Sequence, residues 1–467
     1  MRSNQPFDAE LVHKQDLAHH FHPFSDFATF KDTGSMILTD AEGVYLTDSD
    51  GKRYLDGVAG LWCVNIGYGR NEMAQAMADQ ARQMAFYSTF GDYTSVPAAQ
   101  LAAKLASLAP GSLNHVFYGT GGSMANDTAV RMIHFYFNHL GKKKKKKIIT
   151  RHSAYHGSTY LAMSLTGVAF DHIGFDLVKG GLIHRVSAPN MYRRPEGMSE
   201  GQYLEFLVAE FQVKIEALGA ENVAAFFAEP IMGAGGVMMP PKGYHKRMMD
   251  ICRKYGVLYV ADEVVTAFGR LGHFFASDDV FGMVPDMITT AKGLTSAYAP
   301  LSATILSDEI YDVLSVPQEK GAYFSHGFTY SGHPICCAVG LKNIEIIERE
   351  DICGHVRKVG PYFEQRLASL KDLPLVGDIR GSHFMLCVEN VAHKESKALF
   401  DSDIAIGNRI ADTCKHLGVL VRPVGHLNIL SPPLTMTEGQ IDVLVQALGD
   451  SIHAVADGLV REGVKFS

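Results

Sequence analysis

The chain has 467 residues, of which 47% are hydrophobic, and a formal net charge of −7. This length allows two domains that share an interface, and the negative charge gives no reason to expect a nucleic-acid partner. Residues 1–22 are polar and carry no apolar signal core, and we find no apolar run of about 18 residues that would span a membrane. We therefore expect a cytoplasmic protein without a membrane partner.

The seven cysteines are scattered, and no Cys-x-x-Cys or His/Cys spacing typical of zinc occurs. We expect all seven to be reduced core residues and expect no metal site, which fits the cytoplasm. The run Lys142–Lys147 has two interpretations. It is either a solvated turn between a helix and a strand or a phosphate-binding patch.

Residues 1 to about 35 show little periodicity, so we predict an irregular arm with one short helix. Alternating residues then flank Asp50-Gly51 and predict a hairpin over Val44–Asp56. Trp62, the only tryptophan, is either a core residue or the wall of a pocket. Phe90, in a second aromatic cluster, allows the same two interpretations.

A strand at 114–118, the glycine-rich segment Gly119–Ser123 and a helix over 126–139 follow one another. This order aims backbone N–H groups and a helix dipole at a phosphate. The segment lacks the Walker lysine and the dinucleotide-binding spacing, so it is a phosphate loop of another kind or a tight turn.

Two later strands are apolar on both faces and end in acids. The strand at 223–229 ends at Glu229, and the strand at 257–262 ends at Asp262. Each acid is either a satisfied buried carboxylate or helix cap, or a carboxylate that holds a cationic ligand nitrogen. Ligands of open parallel sheets bind at these strand ends.

Lys292 follows the apolar run at 286–290, and Gly293 breaks the strand. A lysine there is either solvated or partly desolvated, and desolvation lowers the pKa and makes the amine nucleophilic toward aldehydes. Pyridoxal phosphate chemistry needs such a lysine together with an aspartate that keeps the ring nitrogen protonated. Lys292 and Asp262 are the candidates for that pair.

Strands and helices alternate up to about residue 330, which requires a mainly parallel sheet covered on both faces. The α/β fold class follows for this region. Long helices and a hairpin-like segment at 376–389 then predict a smaller α+β domain. We predict an arm and hairpin over 1–60 that join the small domain, a large domain over 61–330, and a C-terminal domain over 331–467.

Three motifs resemble those of the class III aminotransferases, the ω-transaminases. They are Ala-Asp262-Glu-Val, Thr-Thr-Ala-Lys292-Gly, and Phe328-Thr-Tyr-Ser-Gly-His-Pro334, and the resemblance extends from about Tyr45 to Pro433. It implies fold type I of the pyridoxal-phosphate-dependent transferases, pyridoxal 5'-phosphate as cofactor, and amine and keto-acid substrates. It also implies a homodimer with shared active sites, with a tetramer left open.

The resemblance assigns roles to the candidate residues. Lys292 attaches the cofactor and moves the proton, and Asp262 keeps the ring nitrogen protonated with support from Glu229. The resemblance implies that Gly122 and Ser123 contact the cofactor phosphate and that Tyr155 and Val264 lie on the two faces of the ring. It also implies that His156 binds the cofactor and that Thr329 reaches the phosphate of the neighbouring subunit. The substrate pocket is expected to include Trp62, Phe90, Tyr155 and Arg422.

The chain also departs from the family pattern. Gly121 and Met124 replace a serine and a glutamate of the usual phosphate loop, which puts one side-chain contact in doubt. Ala234 stands where the ornithine and γ-aminobutyrate branches usually have a gating glutamate, which points toward the pyruvate-using amine and ω-amino acid branch. Arg422 is either a surface ion-pair residue or the family's mobile arginine that clamps a substrate carboxylate.

The sequence therefore predicts a ping-pong transaminase that moves an amino group from an amine or ω-amino acid to an α-keto acid, pyruvate above all. Two alternatives stay open. One is a pyridoxal-phosphate-dependent decarboxylase or aminomutase on the same scaffold. The other is a nucleotide-binding regulator or scaffold that uses the Gly119–Ser123 segment and the Lys142–Lys147 run. The preferred amine and the stereopreference are left open.

Overall fold

The computed structural model describes residues 7–317 and 323–467. Within these residues the helices are α1 (Ala9–His19), α2 (Phe27–Thr33), α3 (Ala59–Trp62), α4 (Asn71–Met84), α5 (Val96–Leu108), α6 (Gly122–His139), α7 (Tyr160–Leu165), α8 (Glu200–Leu218), α9 (Tyr244–Tyr255), α10 (Ala276–Asp279), α11 (Asp308–Leu314), α12 (Pro334–Arg349), α13 (Ile352–Ala368), α14 (Ile406–His416) and α15 (Glu438–Arg461). The strands are β1 (Leu38–Glu42), β2 (Tyr45–Asp48), β3 (Arg53–Asp56), β4 (Leu113–Gly119), β5 (Lys147–Arg151), β6 (Ile183–Val186), β7 (Val223–Ala228), β8 (Leu258–Asp262), β9 (Met287–Thr290), β10 (Ser302–Ser307), β11 (Val376–Ser382), β12 (Met385–Asn390), β13 (Val419–Leu420), β14 (Arg422–Val424) and β15 (Leu427–Leu430).

A seven-stranded sheet with the order β4-β10-β9-β8-β7-β5-β6 forms the centre of the fold. Strands β5 to β9 run parallel, and β10 runs antiparallel to both of its neighbours. Every residue of β7 and β8 is buried, because helices cover both faces of the sheet. The predicted α/β class with a mainly parallel sheet is confirmed. The sequence missed β6, a short and half-buried edge strand in a stretch that carries little pattern.

Two four-stranded sheets lie outside the central one, with the orders β1-β2-β3-β13 and β11-β12-β15-β14. The predicted hairpin is confirmed in β2 and β3, whose turn is fixed by Asp48: one carboxylate oxygen accepts from the backbone N–H groups of Asp50 and Lys52. Strand β13 pairs in parallel with β3, so the hairpin is joined to the last third of the chain. The domain boundaries at residues 60 and 330 stay a prediction.

The N-terminal arm contains two helices, α1 and α2, so the prediction of one short helix was wrong. Neither helix has a buried residue, which explains the missing periodicity. Asp8 and Asp26 instead cap their first turns by accepting a backbone N–H each. These caps stabilise two helices that lack the apolar stripe from which a helix is predicted.

Helix α6 begins at Gly122, four residues before the predicted start at 126. Glycine disfavours helix interiors, which is why the sequence placed the helix after it. At a first turn this penalty is small, and Gly121 enters the helix in extended conformation. The predicted phosphate loop is therefore shorter, and Gly122 and Ser123 belong to the helix N-terminus.

The lysine run divides into two parts. Lys142 to Lys144 are exposed, as expected for a solvated turn, whereas Lys145 is buried. The Lys145 ammonium donates to the carbonyls of Ala220 and Tyr255 at the ends of α8 and α9, and burial lowers its pKa to about 8. A solvated turn therefore describes only the first half, because the second half caps helix C-termini.

Helix α15 is long enough and apolar enough to cross a membrane by length and composition, which the sequence analysis overlooked. More than half of its apolar window is buried inside the protein. Its apolar stripe packs against α13 and α14, which is typical of a core helix. A capping box stabilises its start, because Thr437 and Gln440 bond reciprocally.

Candidate active site

The candidate site lies at the carboxyl ends of β7, β8 and β9, which are neighbours in the sheet. Asp262 is the last residue of β8, Glu229 directly follows β7, and Lys292 lies two residues beyond β9. Parallel strands present these ends at one edge, so the sequence prediction that the three residues meet there is confirmed.

Asp262 is buried and held by three hydrogen bonds. Its Oδ2 accepts from Asn126 Nδ2 at 2.8 Å and lies 2.7 Å from Nδ1 of the fully buried His156 ring. Its Oδ1 accepts from the backbone N–H of Val264 at 3.1 Å. A buried carboxylate needs such partners, and here they fix its orientation as well.

Asn126 is the residue that sequence reasoning missed. It lies one turn into α6, where its side chain also donates to the carbonyl of His156 and accepts from Thr289 Oγ1. The single amide therefore ties α6, β9 and the His156 loop to Asp262. An asparagine on the buried face of a helix was the available signal, because it must satisfy its hydrogen bonds there.

Glu229 is buried, and its carboxylate accepts from the backbone N–H groups of Tyr155 and Gly233. Burial raises its pKa, and the neighbouring charge of Asp262 acts in the same direction. Arg151 donates to the Glu229 main-chain carbonyl. Glu229 thus positions the loop that carries Tyr155. Its implied support of a ring nitrogen stays a prediction.

Burial lowers the pKa of Lys292, against the opposing influence of Cys63, Asp262 and Glu229. The lysine has a positive φ of 38°, which is a strained conformation for a non-glycine residue. Asn343 holds the following turn by donating to the carbonyls of Gly293 and Leu294. A lowered pKa increases the fraction of neutral, nucleophilic amine.

The N-terminus of helix α6 faces the site, and no described side chain caps it. A Cβ added at Gly122 would lie 3.0 Å from both methyl groups of Val264, so only glycine fits there without displacement. Ser123 Oγ accepts from the backbone N–H of Ser158. Free N–H groups at the start of an 18-residue helix form an anion site.

These three features fit the phosphorylated pyridine aldehyde that the sequence led us to expect. Lys292 offers the amine, Asp262 offers a carboxylate for the ring nitrogen, and the start of α6 offers N–H groups for the phosphate. A Cβ at Gly121 would meet open space, and Met124 Sδ accepts from Thr120 Oγ1. Because Gly121 and Met124 offer no charged or hydroxyl side chain, we expect a phosphate here to be bound mostly by backbone N–H groups.

Arg422 begins β14 and is half-buried. Within residues 7–317 and 323–467 its guanidinium makes no hydrogen bond and no ion pair. Desolvation lowers its pKa, while the nearby Tyr155 hydroxyl and the Asp171 carboxylate act in the opposite direction. Arg422 also lowers the pKa of Lys292, which places it within electrostatic reach of the amine. The surface ion pair is therefore not formed here.

Trp62 is 4% exposed and adopts a positive φ of 63°. It packs in an apolar cluster with Ile231 and Met385. Its ring also approaches Gly233 next to the Glu229 loop: a Cβ at that glycine would lie 3.7 Å from the indole. Trp62 is therefore a core residue whose edge approaches the loop after Glu229, and its role as the wall of a pocket stays a prediction.

Phe90 and Thr329 lie together on the surface of the chain. Phe90 is 51% exposed and packs against Gly327, and Thr329 is exposed in the next turn. Neither joins the hydrogen-bonded group around Asp262. Their predicted roles require a second copy of the chain and stay predictions.

Comparisons with known proteins agree with this geometry. The family described as aminotransferase class-III matches residues 28–452. The putrescine–pyruvate aminotransferase of Pseudomonas aeruginosa is 42% identical over 428 residues, which cover 91% of this chain and 92% of that protein. The diaminobutyrate–2-oxoglutarate transaminase of Halomonas elongata is 39% identical over 460 residues, 97% of this chain and 95% of that protein. The ω-transaminase of Pseudomonas jessenii, solved in complex with PMP, superimposes with a TM-score of 0.93 at 35% identity, covering 96% of this chain and 99% of that one.

Proposed function

Because the chain belongs to the class-III aminotransferases, enzymes that depend on pyridoxal phosphate, we propose that it transfers the amino group of an amine or ω-amino acid to pyruvate. The unpaired Arg422 carries this proposal. A half-buried guanidinium without a partner among the described residues is free to bind a substrate carboxylate. Ala234 stands where related branches have a glutamate that would pair with this guanidinium. The similarity to a putrescine–pyruvate aminotransferase supports the same acceptor.

The residues of the site divide the chemical work. Bound pyridoxal phosphate supplies an aldehyde that takes up the amino group and a ring that withdraws electrons. Lys292 would hold the cofactor through its amine, and the same amine would carry the proton to and from the substrate carbon. Asp262 holds the proton at the ring nitrogen, and Asn126 with His156 keeps its carboxylate oriented. Arg422 binds the keto-acid carboxylate.

A panel of donors and acceptors tests the proposal. We expect turnover with mono- and diamines and with pyruvate, and formation of alanine in equal amount to the consumed amine. Turnover with 2-oxoglutarate but not with pyruvate would contradict pyruvate as the acceptor. Release of CO₂ without consumption of a keto acid would indicate a decarboxylase. Rearrangement of the amine without a keto acid would indicate an aminomutase.

We further propose a homodimer whose subunits complete each other's sites, with a tetramer left open. The exposed aromatic side chains near Phe90 and Thr329 support it, because a large exposed apolar patch is typical of an interface. These side chains are Phe86, Tyr87, Phe90, Tyr93 and Tyr330.

We also propose a cytoplasmic location. The seven free cysteines support it, because thiols stay reduced in the cytoplasm.

Mixing of inactive variants tests the dimer. Thr329→Ala is expected to weaken cofactor retention, and mixtures with Lys292→Ala are expected to regain part of the activity, because one site then keeps both functional residues. A fully active monomer in sedimentation would contradict shared sites.

A further inference from the structure

The N-terminal arm carries a cluster of metal-ligating side chains outside the active site. His20 Nδ1 and His22 Nε2 each lie 3.0 Å from the same oxygen, Asp16 Oδ1. The ligand atoms of Asp16, His20 and His22 all lie within 4.8 Å of one another. Among the described residues, this is the one group of three His, Cys, Asp or Glu side chains that meets this distance. From the sequence we expected no metal site, because the chain has no Cys/His spacing typical of zinc.

Local structure brings the three side chains together. Asp16 lies in the last turn of α1, and His20 caps that helix with its backbone N–H on the Asp16 carbonyl. The spacing of four residues places both on one helix face. The chain then reverses direction before α2, where Phe24 has a positive φ, and His22 returns to the same carboxylate.

Ser35, nineteen residues beyond Asp16, holds the other carboxylate oxygen by a hydrogen bond. That bond leaves Asp16 Oδ1 facing the two imidazoles, and an aspartate carboxylate is ordinarily ionised at neutral pH. Metal-binding carboxylates are often fixed by such an outer partner. The cluster therefore has an oriented anionic ligand and two imidazoles.

The distances suit a small transition-metal ion. Tetrahedral Zn²⁺ has bonds of about 2.0–2.1 Å, which separates its ligand atoms by roughly 3.3 Å. The two nitrogen–oxygen distances of 3.0 Å are only a few tenths shorter. Two imidazoles and one carboxylate leave a coordination position for water and do not favour Mg²⁺ or Ca²⁺, which prefer oxygen ligands. The site is empty.

We propose that Asp16, His20 and His22 form a Zn²⁺ site that holds the N-terminal arm in its folded conformation. The arm needs such a tie, because α1 and α2 have no buried residue and therefore no core of their own. Metal binding then adds to the stability of the arm directly. An ordinary ion pair between the two histidines and Asp16 is the competing explanation.

Zn²⁺ binding to the metal-stripped holoenzyme tests the site by isothermal titration. We expect wild type to bind one Zn²⁺ per chain that the His20→Gln/His22→Gln variant does not bind, and to bind no Mg²⁺. His19→Gln is the matched control for His20→Gln, since it removes an exposed imidazole from the neighbouring position. Ser35→Ala is expected to weaken binding about 10- to 100-fold through loss of the outer partner. Unchanged binding in the double variant would overturn the site.

Limited trypsin digestion tests the effect on the arm, in which Lys14 and Lys31 are exposed. At free Zn²⁺ of about 100 times Kd, the open population falls about 100-fold, and cleavage of wild type and His19→Gln is expected to slow comparably. The double variant is expected to be cleaved at the same rate with and without Zn²⁺. Equal rates for wild type with and without Zn²⁺ would overturn the proposed closure of the arm.

Discussion

Asp262 and Arg422 both act on Lys292, yet the protein holds them in opposite ways. Asp262 is buried and held by Asn126, His156 and the Val264 backbone. Arg422 is half-buried and has no hydrogen-bond partner among the residues described. The carboxylate proposed to serve the unchanging cofactor is fixed by hydrogen bonds, whereas the guanidinium proposed to meet two different substrates is not.

The comparison depends on Lys292 as the amine between the two regions. Lys292→Ala is expected to abolish covalent attachment of the cofactor and to reduce turnover below detection, because no other amine stands at the end of β9. Absorbance of the purified protein and borohydride trapping measure the attachment. Lys254→Ala, an exposed lysine at the end of α9, serves as the control. Trapping of a cofactor adduct in the Lys292 variant would disprove the assignment.

Asp262→Asn tests the fixed carboxylate. The isosteric amide keeps the packing but cannot hold a proton at a ring nitrogen. We expect cofactor to stay bound and the half-reaction with amine to slow about 1000-fold or more, since each factor of ten corresponds to about 1.4 kcal/mol of barrier. Single-turnover kinetics with the amine measure the loss. A loss of less than about threefold would contradict the role of Asp262 in keeping the ring protonated.

Much of this part of the site was readable from the sequence. Glu229, Asp262 and Lys292 each follow an apolar run, and the rule for parallel sheets brings such ends together. A buried asparagine was a signal in the sequence, but the partner of Asn126 was not readable, because its contact with Asp262 spans 136 positions of the chain. The start of α6 was misplaced for a local reason, since propensity argues against glycine without weighing the benefit of an uncapped, anion-binding N-terminus.

Asn126→Ala tests whether the orientation of Asp262 matters beyond its charge. The variant loses one bond to a charged carboxylate and two neutral bonds, and we expect kcat to fall about 100-fold. Thr289→Val removes only the bond that orients the Asn126 amide and is expected to have a smaller effect, under about tenfold. A purely structural role would lower the melting temperature of both variants but leave the pH dependence of kcat unchanged. A shifted pH profile in Asn126→Ala therefore distinguishes positioning from simple destabilisation.

Arg422→Ala tests the guanidinium, and its effect is expected to be confined to one half-reaction. A keto acid brings a carboxylate to the pocket, whereas an amine brings an uncharged tail. A fixed buried guanidinium facing that tail would be desolvated and unpaired, which is costly. A half-buried one with no partner among the described residues can turn toward solvent instead.

We therefore expect Arg422→Ala to raise KM for pyruvate about tenfold, which corresponds to about 1.4 kcal/mol of binding. The half-reaction with a hydrophobic amine is expected to change by less than about twofold, because Arg422 makes no contact with an apolar tail when it faces solvent. Stopped-flow measurement of each half-reaction separates the two effects, and the exposed Arg461→Ala variant is the control. Equal losses in both halves would mean that Arg422 supports the structure of the pocket, and the contrast with Asp262 would then be one of burial alone.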